Sequence, residues 1–233
     1  MMKPELFIFD LAGTTVHDNR DVHRVLQHVF KEIHLDISIH EANEVMGIPK
    51  PEAIKILLQQ HSYPDIDERL VNDMHEQFVK NMTEFYRHDY SVREKEGASE
   101  IFRQVKSMGA KVVVDTGFDR AIVNPLLERL GWQKKKLIDA SVTSDEVKRG
   151  RPFPDMVFKA MELTGVKKAD AVVKVGDTLS DLQEGSFAGC GWVIGITSGA
   201  YSREQLKKGP HTHLIDQLSE LAVLFQLKQS VSG

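Results

Sequence analysis

The chain has 233 residues, 41% hydrophobic and 27% charged, a globular mixture that excludes disorder and collagen-like structure. Lys and Arg number 30 against 34 Asp and Glu, so the net charge is −4 and nothing points to nucleic acid or an anionic membrane as partner. The single cysteine, Cys190, rules out an internal disulfide and fits a reducing compartment.

The first apolar run, Leu6-Phe7-Ile8-Phe9, stops at Asp10 and the turn residues Gly13-Thr14-Thr15. Asp10 interrupts the only apolar stretch near the amino terminus, so no signal peptide is expected. No later run approaches the ~20 apolar residues needed to span a bilayer, and a cytoplasmic location is expected. Between Val16 and Val92 the apolar spacing is helical: Val22, Val25, Leu26, Val29 and Phe30, then Ala53, Ile54, Leu57 and Leu58, then Leu70, Val71, Met74, Phe78 and Val79. That stretch holds no strand candidate and is too long for one crossover helix, so it reads as an inserted helical module.

Four more β-rich runs follow. Lys111–Val114 ends at Asp115-Thr116-Gly117, Leu137–Ala140 near Thr143-Ser144-Asp145, Ala171–Val175 at Gly176-Asp177-Thr178, and Trp192–Ile196 at Thr197-Ser198-Gly199. Continuous apolar runs alternating with helical patterns predict an α/β fold with a parallel sheet flanked by helices. The expected core spans 1–15 and 93–233, and the helical module spans 16–92. Ligands of such sheets bind beyond the carboxyl ends of the strands, so the five turns are expected on one rim.

Each turn carries candidate chemistry. Asp10 alone reads as a strand-end aspartate, but a carboxylate there can also be a nucleophile or metal ligand. Asp177 and Asp181 stand four apart at a predicted helix start, on one face, where a Mg²⁺ ion would relieve their repulsion. Thr116 and Gly117 offer a hydroxyl and a backbone N–H suited to phosphate oxygens. Arg151, stiffened by Pro152 and Pro154, can fork onto two phosphoryl oxygens.

In this order Phe9-Asp10-Leu11-Ala12-Gly13-Thr14-Thr15, Thr116-Gly117, Gly150-Arg151-Pro152-Phe153-Pro154 and Gly176-Asp177-Thr178 with Asp181 resemble the haloacid dehalogenase superfamily of phosphohydrolases. The resemblance implies a Rossmann-like core, an inserted all-helical cap and an aspartyl-phosphate intermediate on Asp10. It also implies Mg²⁺ held by Asp10, Asp177 and the Ala12 carbonyl with Asp181 behind them, and Thr116, Gly117 and Arg151 around a small phosphorylated or phosphonate substrate. Homodimerisation through the cap is implied only in this way.

Two features resemble the phosphonoacetaldehyde hydrolase (phosphonatase) branch. Ala12 stands where most phosphate-ester-cleaving relatives carry a general-acid aspartate, and Arg151 stands where most carry lysine. Met46-Gly47-Ile48-Pro49-Lys50 meets that branch's Met-Gly-x-x-Lys pattern, which implies a Schiff base between Lys50 and an aldehyde. Pro51 fits a first helical position, with Lys50 at the N-cap, where the helix dipole would lower the amine's pKa. Departures are Ala53 in place of a histidine, Phe118 in place of an aromatic hydroxyl, and the prolines flanking Lys50. A phosphatase acting on monoesters is the alternative, and a phosphorylated signalling module or a non-catalytic phosphate-binding protein are the competitors outside catalysis. Most of the 10 histidines read as solvated helix residues, with His17 the one expected to approach a substrate. Cys190 reads as a small core residue.

Overall fold

The computed structural model describes residues 3–227. Its centre is a six-stranded, wholly parallel sheet of β1 (Leu6–Asp10), β2 (Lys111–Thr116), β3 (Ala140–Thr143), β4 (Val172–Gly176), β5 (Trp192–Ile196) and β6 (His213–Ile215), in the order β3-β2-β1-β4-β5-β6. Side-chain alternation splits β1 between two hydrophobic layers. Leu6 and Ile8 pack with Met156, Val157 and Ala160 on one face. Phe7 and Phe9 join the larger cluster on the other, where the Phe9 ring meets Phe102 edge-on at 5.2 Å. Both faces of β1 are therefore covered, and this central strand has no wet side.

Of the five helices between β1 and β2, the first four are α1 (Asp21–Glu32), α2 (Ile39–Glu44), α3 (Lys50–Gln60) and α4 (Glu68–His88). No strand interrupts them among the described residues. The chain leaves and re-enters the sheet through adjoining segments, since Val16 bridges both Ala12 and Glu94. Phe78 of α4 approaches Phe118, just past β2, with ring centroids 6.3 Å apart, so the helical layer shares its apolar cluster with the sheet. The remaining helices are α5 (Ala98–Ser107), α6 (Arg120–Leu130), α7 (Asp155–Thr164), α8 (Leu179–Ala188), α9 (Arg203–Leu206) and α10 (Glu220–Leu224).

The structure corrects the sequence reading in three places. The third strand is Ala140–Thr143, not Leu137–Ala140. Leu137 and Ile138 are buried, but from a turn: Leu137 N–H donates to Trp132 at 2.8 Å, and strand pairing with β2 begins only at Ala140. The short α2 and the three-residue edge strand β6 carry too few apolar positions to announce themselves. Lys50 occupies the first turn of α3 rather than its N-cap, because Pro49 is extended and its carbonyl accepts the first helical bond from Ala53 N–H at 3.0 Å. Among the described residues no helix is long and apolar enough to cross a membrane.

Candidate active site

Strand order reverses at β1, between β2 and β4, and the crevice beyond that point is where this sheet topology binds ligands. One cavity lies there, lined by Asp10, Ala12, Lys50, Thr116, Gly117, Arg151 and Asp177. The cavity is small, about 40 Å³, room for a few small groups. Asp181 does not line it. Fully buried behind Asp177, its Oδ2 takes the Thr178 hydroxyl at 2.5 Å and the Thr178 N–H at 3.2 Å, closing the capping box that starts α8.

Beneath the cavity floor lies a network of charges. Strand register sets Asp10 beside Asp115 and Ile8 beside Lys174, all on one face of the sheet. Arg151, 2% exposed, reaches into that face. Its Nη1 lies 2.7 Å from Asp10 Oδ1 and 3.0 Å from Asp181 Oδ1, its Nη2 donates to Asp115 Oδ1 at 2.6 Å, and its Nε donates to Glu184 at 3.0 Å. Lys174 Nζ contacts both oxygens of Asp115, at 2.5 and 2.6 Å, and Glu184 at 2.8 Å. Burial alone would discharge Lys174, but Asp115, Glu184 and Asp181 outweigh burial and raise its pKa.

Asp10 is the strained member. Burial drives its carboxyl well above the usual range, Arg151 opposes the shift, and Asp181 and Asp177 add to it. Asp177 is pushed up to about 7, first by burial and then by Asp181. Its oxygens accept from Ala200 N–H at 2.6 Å and Thr14 Oγ1 at 3.3 Å, and no Lys or Arg pairs with it among the described residues. Asp10, Asp115 and Asp181 also bring one oxygen each within 4.8 Å of one another, an arrangement able to hold a metal ion. Arg151 already bonds that cluster, whereas the expected set contained Asp177 and not Asp115.

Lys50 enters the cavity from α3. Only 3% exposed, its Nζ lies 5.6 Å from the ring centroids of both Phe78 and Phe118, and its hydrogen bond is to the Ile48 carbonyl at 3.5 Å. No carboxylate forms an ion pair with it among the described residues. Burial, against the pull of Asp10, lowers the amine to about 8, so desolvation rather than the helix dipole is the main cause.

Two glycines let the Lys50 loop settle on the rim. Gly47, at φ +83°, would place a Cβ into the Thr178 and Ser180 hydroxyls, and one on Gly117 would sit 3.2 Å from the Gly47 and Ile48 carbonyls. Gly47→Ala is expected to lower kcat/KM at least about tenfold by lifting Lys50 off the rim, with the far-ultraviolet circular dichroism unchanged. Steady-state kinetics on the variant checks this.

Several residues escaped the sequence reading. Asp115, Lys174 and Glu184 were not singled out, although a lysine inside a strand buried on both faces requires carboxylate partners. His17 does not line the cavity; Asp18, beside it, does. His23, expected to be solvated, is 2% exposed, with Nε2 2.8 Å from Asn43 Oδ1. Burial pushes the Cys190 thiol up to about 12, in keeping with a packing residue.

Residues 7–194 match the model of the haloacid dehalogenase-like hydrolase family. The chain belongs to this family. Among curated members, this haloacid dehalogenase-like hydrolase is similar to the phosphonoacetaldehyde hydrolase of Bacillus cereus, 32% identical over 212 residues, covering 85% of this chain and 78% of that protein. Among solved structures it is similar to a phosphonoacetaldehyde hydrolase-like protein from Oleispira antarctica, with TM-score 0.86, 23% identity and coverage of 96% and 91%. CbbY from Rhodobacter sphaeroides in complex with phosphate superposes with TM-score 0.79 at 19% identity, covering 94% of this chain and 96% of that one.

Proposed function

We propose that this enzyme hydrolyses a small phosphonoaldehyde, with Asp10 as nucleophile toward phosphorus and Lys50 as the amine that forms an imine with the aldehyde. The observation that carries the reading is Lys50: a buried amine without an ion-pair partner among the described residues, lowered to about 8, in the same cavity as a buried carboxylate. A surface lysine at neutral pH has almost no free amine, whereas one poised near 8 has an appreciable fraction. The Bacillus cereus relative, a phosphonoacetaldehyde hydrolase, supports the same chemistry.

In this reading the Lys50 amine adds to the carbonyl and water leaves, giving a protonated imine. Asp10 then attacks phosphorus, the carbon–phosphorus bond breaks, and its electron pair passes into the imine to leave an enamine. A proton adds to the enamine carbon and water hydrolyses the resulting imine, freeing the aldehyde and the Lys50 amine, while a second water releases phosphate from Asp10. Thr116, Gly117 and Arg151 orient the phosphoryl oxygens, and residues 16–92 act as the cap that excludes bulk water. Mg²⁺ fits the residues present, because Asp10 and Asp177 are two desolvated carboxylates that line the same cavity and Asp177 forms no ion pair with a Lys or Arg among the described residues. With the Ala12 carbonyl they would hold the ion, Asp181 sitting behind; when bound it neutralises charge on the phosphoryl group.

Incubation with phosphonoacetaldehyde and borohydride is expected to fix an alkyl adduct on the peptide carrying Lys50, and Lys50→Arg is expected to remove it. Imine formation needs the neutral amine, so the trapping rate should rise with pH up to and through about 8 and then level off. A second reading, a phosphate monoester phosphatase, is favoured by Ala53, which is buried one turn along α3 from Lys50 and cannot move protons. Ester turnover without a borohydride adduct would decide for that reading.

A further inference from the structure

Both readings need a proton donor near the reacting atoms, and neither Ala12 nor Ala53 is one. The cavity is lined by five ionisable side chains: Asp10, Asp18, Lys50, Arg151 and Asp177. Asp10 is held by Arg151 and Asp177 by Thr14 and Ala200, while a guanidinium does not give up its proton. In the imine reading Lys50 is itself the amine that reacts. Asp18 remains.

Asp18 stands between β1 and α1. Its Oδ1 accepts from the N–H of Asp21 at 2.7 Å and of Val22 at 3.4 Å, which fixes the carboxyl at the helix start. Its Oδ2 has no hydrogen-bond partner among the described residues, and no Lys, Arg or His forms an ion pair with it. One oxygen of this cavity-lining side chain is thus anchored while the other has no partner among the described residues, the geometry of a fixed acid with an open proton site.

We propose that Asp18 is the proton-transfer residue of this site, a role that rests on the hydrolase reading above. In imine formation the Asp18 proton passes to the carbinolamine hydroxyl as its carbon–oxygen bond breaks, and water departs. When water later attacks the phosphorylated Asp10, the Asp18 carboxylate takes the water's proton, phosphate leaves, and both carboxyls return to their starting forms. In an ester reaction the same proton goes to the departing alkoxide. Burial raises the Asp18 carboxyl above its ordinary value; the Asp21 N–H and His23 oppose this, and the Asp21 carboxylate adds to it. Lys50, Tyr86, Lys95 and Asp177 face it from the other elements around the cavity.

The test uses Asp18→Asn, whose amide oxygen keeps the helix cap. Wild type and variant are compared on phosphonoacetaldehyde, on an alkyl phosphate and on p-nitrophenyl phosphate, whose phenolate leaves without a proton. The variant is expected to lose roughly 10²–10⁴-fold in kcat on whichever of the first two the wild type turns over, and to lose the protonated-acid limb of that pH profile. Its single-turnover release of p-nitrophenolate is expected to stay within about threefold of wild type. An equal loss on all substrates means a structural role, and no loss on any means no role; either overturns the assignment. If Asp18→Asn does not fold, Asp18→Ser keeps a capping hydroxyl and lacks the acid. A wild type inactive on all three substrates overturns the hydrolase reading, and the Asp18 role with it.

Discussion

Asp10→Asn is expected to lower kcat by at least about 10⁴-fold while leaving the protein as stable at pH 7, or more so. The two effects have one origin. An amide is nearly isosteric but is no nucleophile toward phosphorus, so the covalent route closes. Stability moves the other way because burial holds the Asp10 carboxyl well above its ordinary pKa. A folded-state pKa that is raised means the native state binds more protons than the unfolded chain above the unfolded value, so stability falls as pH rises through that window. At pH 7 the charged Asp10 therefore costs stability, and removing its charge recovers some of it. The expected outcome is a dead enzyme with a melting temperature at or above that of wild type, read by steady-state kinetics and thermal melts in parallel. Activity within tenfold of wild type would contradict the role of Asp10.

Lys174→Met is expected to show the reverse signature, a severe loss of stability from a side chain outside the active-site cavity. Lys174 is fully buried and contacts Asp115 and Glu184 at 2.5–2.8 Å. Removing one partner from a buried charge network strands the others, at a cost of about 3–5 kcal/mol. For a chain of this size that is a drop of roughly 6–20 °C in melting temperature. Methionine matches the aliphatic stem, so the loss belongs to the charge and not to a hole. Adding Glu184→Gln removes one stranded carboxylate and is expected to restore part of the loss, a coupling that a double-mutant cycle measures. A single-variant shift below about 2 °C would show that the network contributes little to stability.

Much of the architecture was legible because buried parallel strands write continuous apolar runs. Leu6–Phe9, Val112–Val114 and Val172–Val175 all lie in central strands. The chemistry at strand ends was legible for a related reason: Asp10, Thr116 and Asp177 follow such runs, and in this topology the run ends share one rim. Leu137 and Ile138 misled because burial was taken as strand, whereas they are apolar residues of a turn. The network beneath the floor was harder to see. Lys174 interrupts an apolar run once, Asp115 passes for an ordinary turn residue, and Glu184 sits in a helix that shows no obvious polar face. Only the register of β1 with β2 and β4 brings these charges onto one side of the sheet. Asp18 was overlooked beside His17 because sequence spacing does not say which of two neighbouring polar side chains turns toward a cavity.

The central claim is that Asp10 accepts the phosphoryl group. Rapid mixing with substrate, acid quenching within the first turnover and mass spectrometry of the peptide spanning Leu6 to Val16 tests it directly. A phosphoryl group on Asp10, formed and lost at rates compatible with kcat and absent in Asp10→Asn, is the predicted result. Turnover with no phosphorylated peptide at any quench time, and with inversion of configuration at phosphorus as a single direct displacement by water requires, would contradict it.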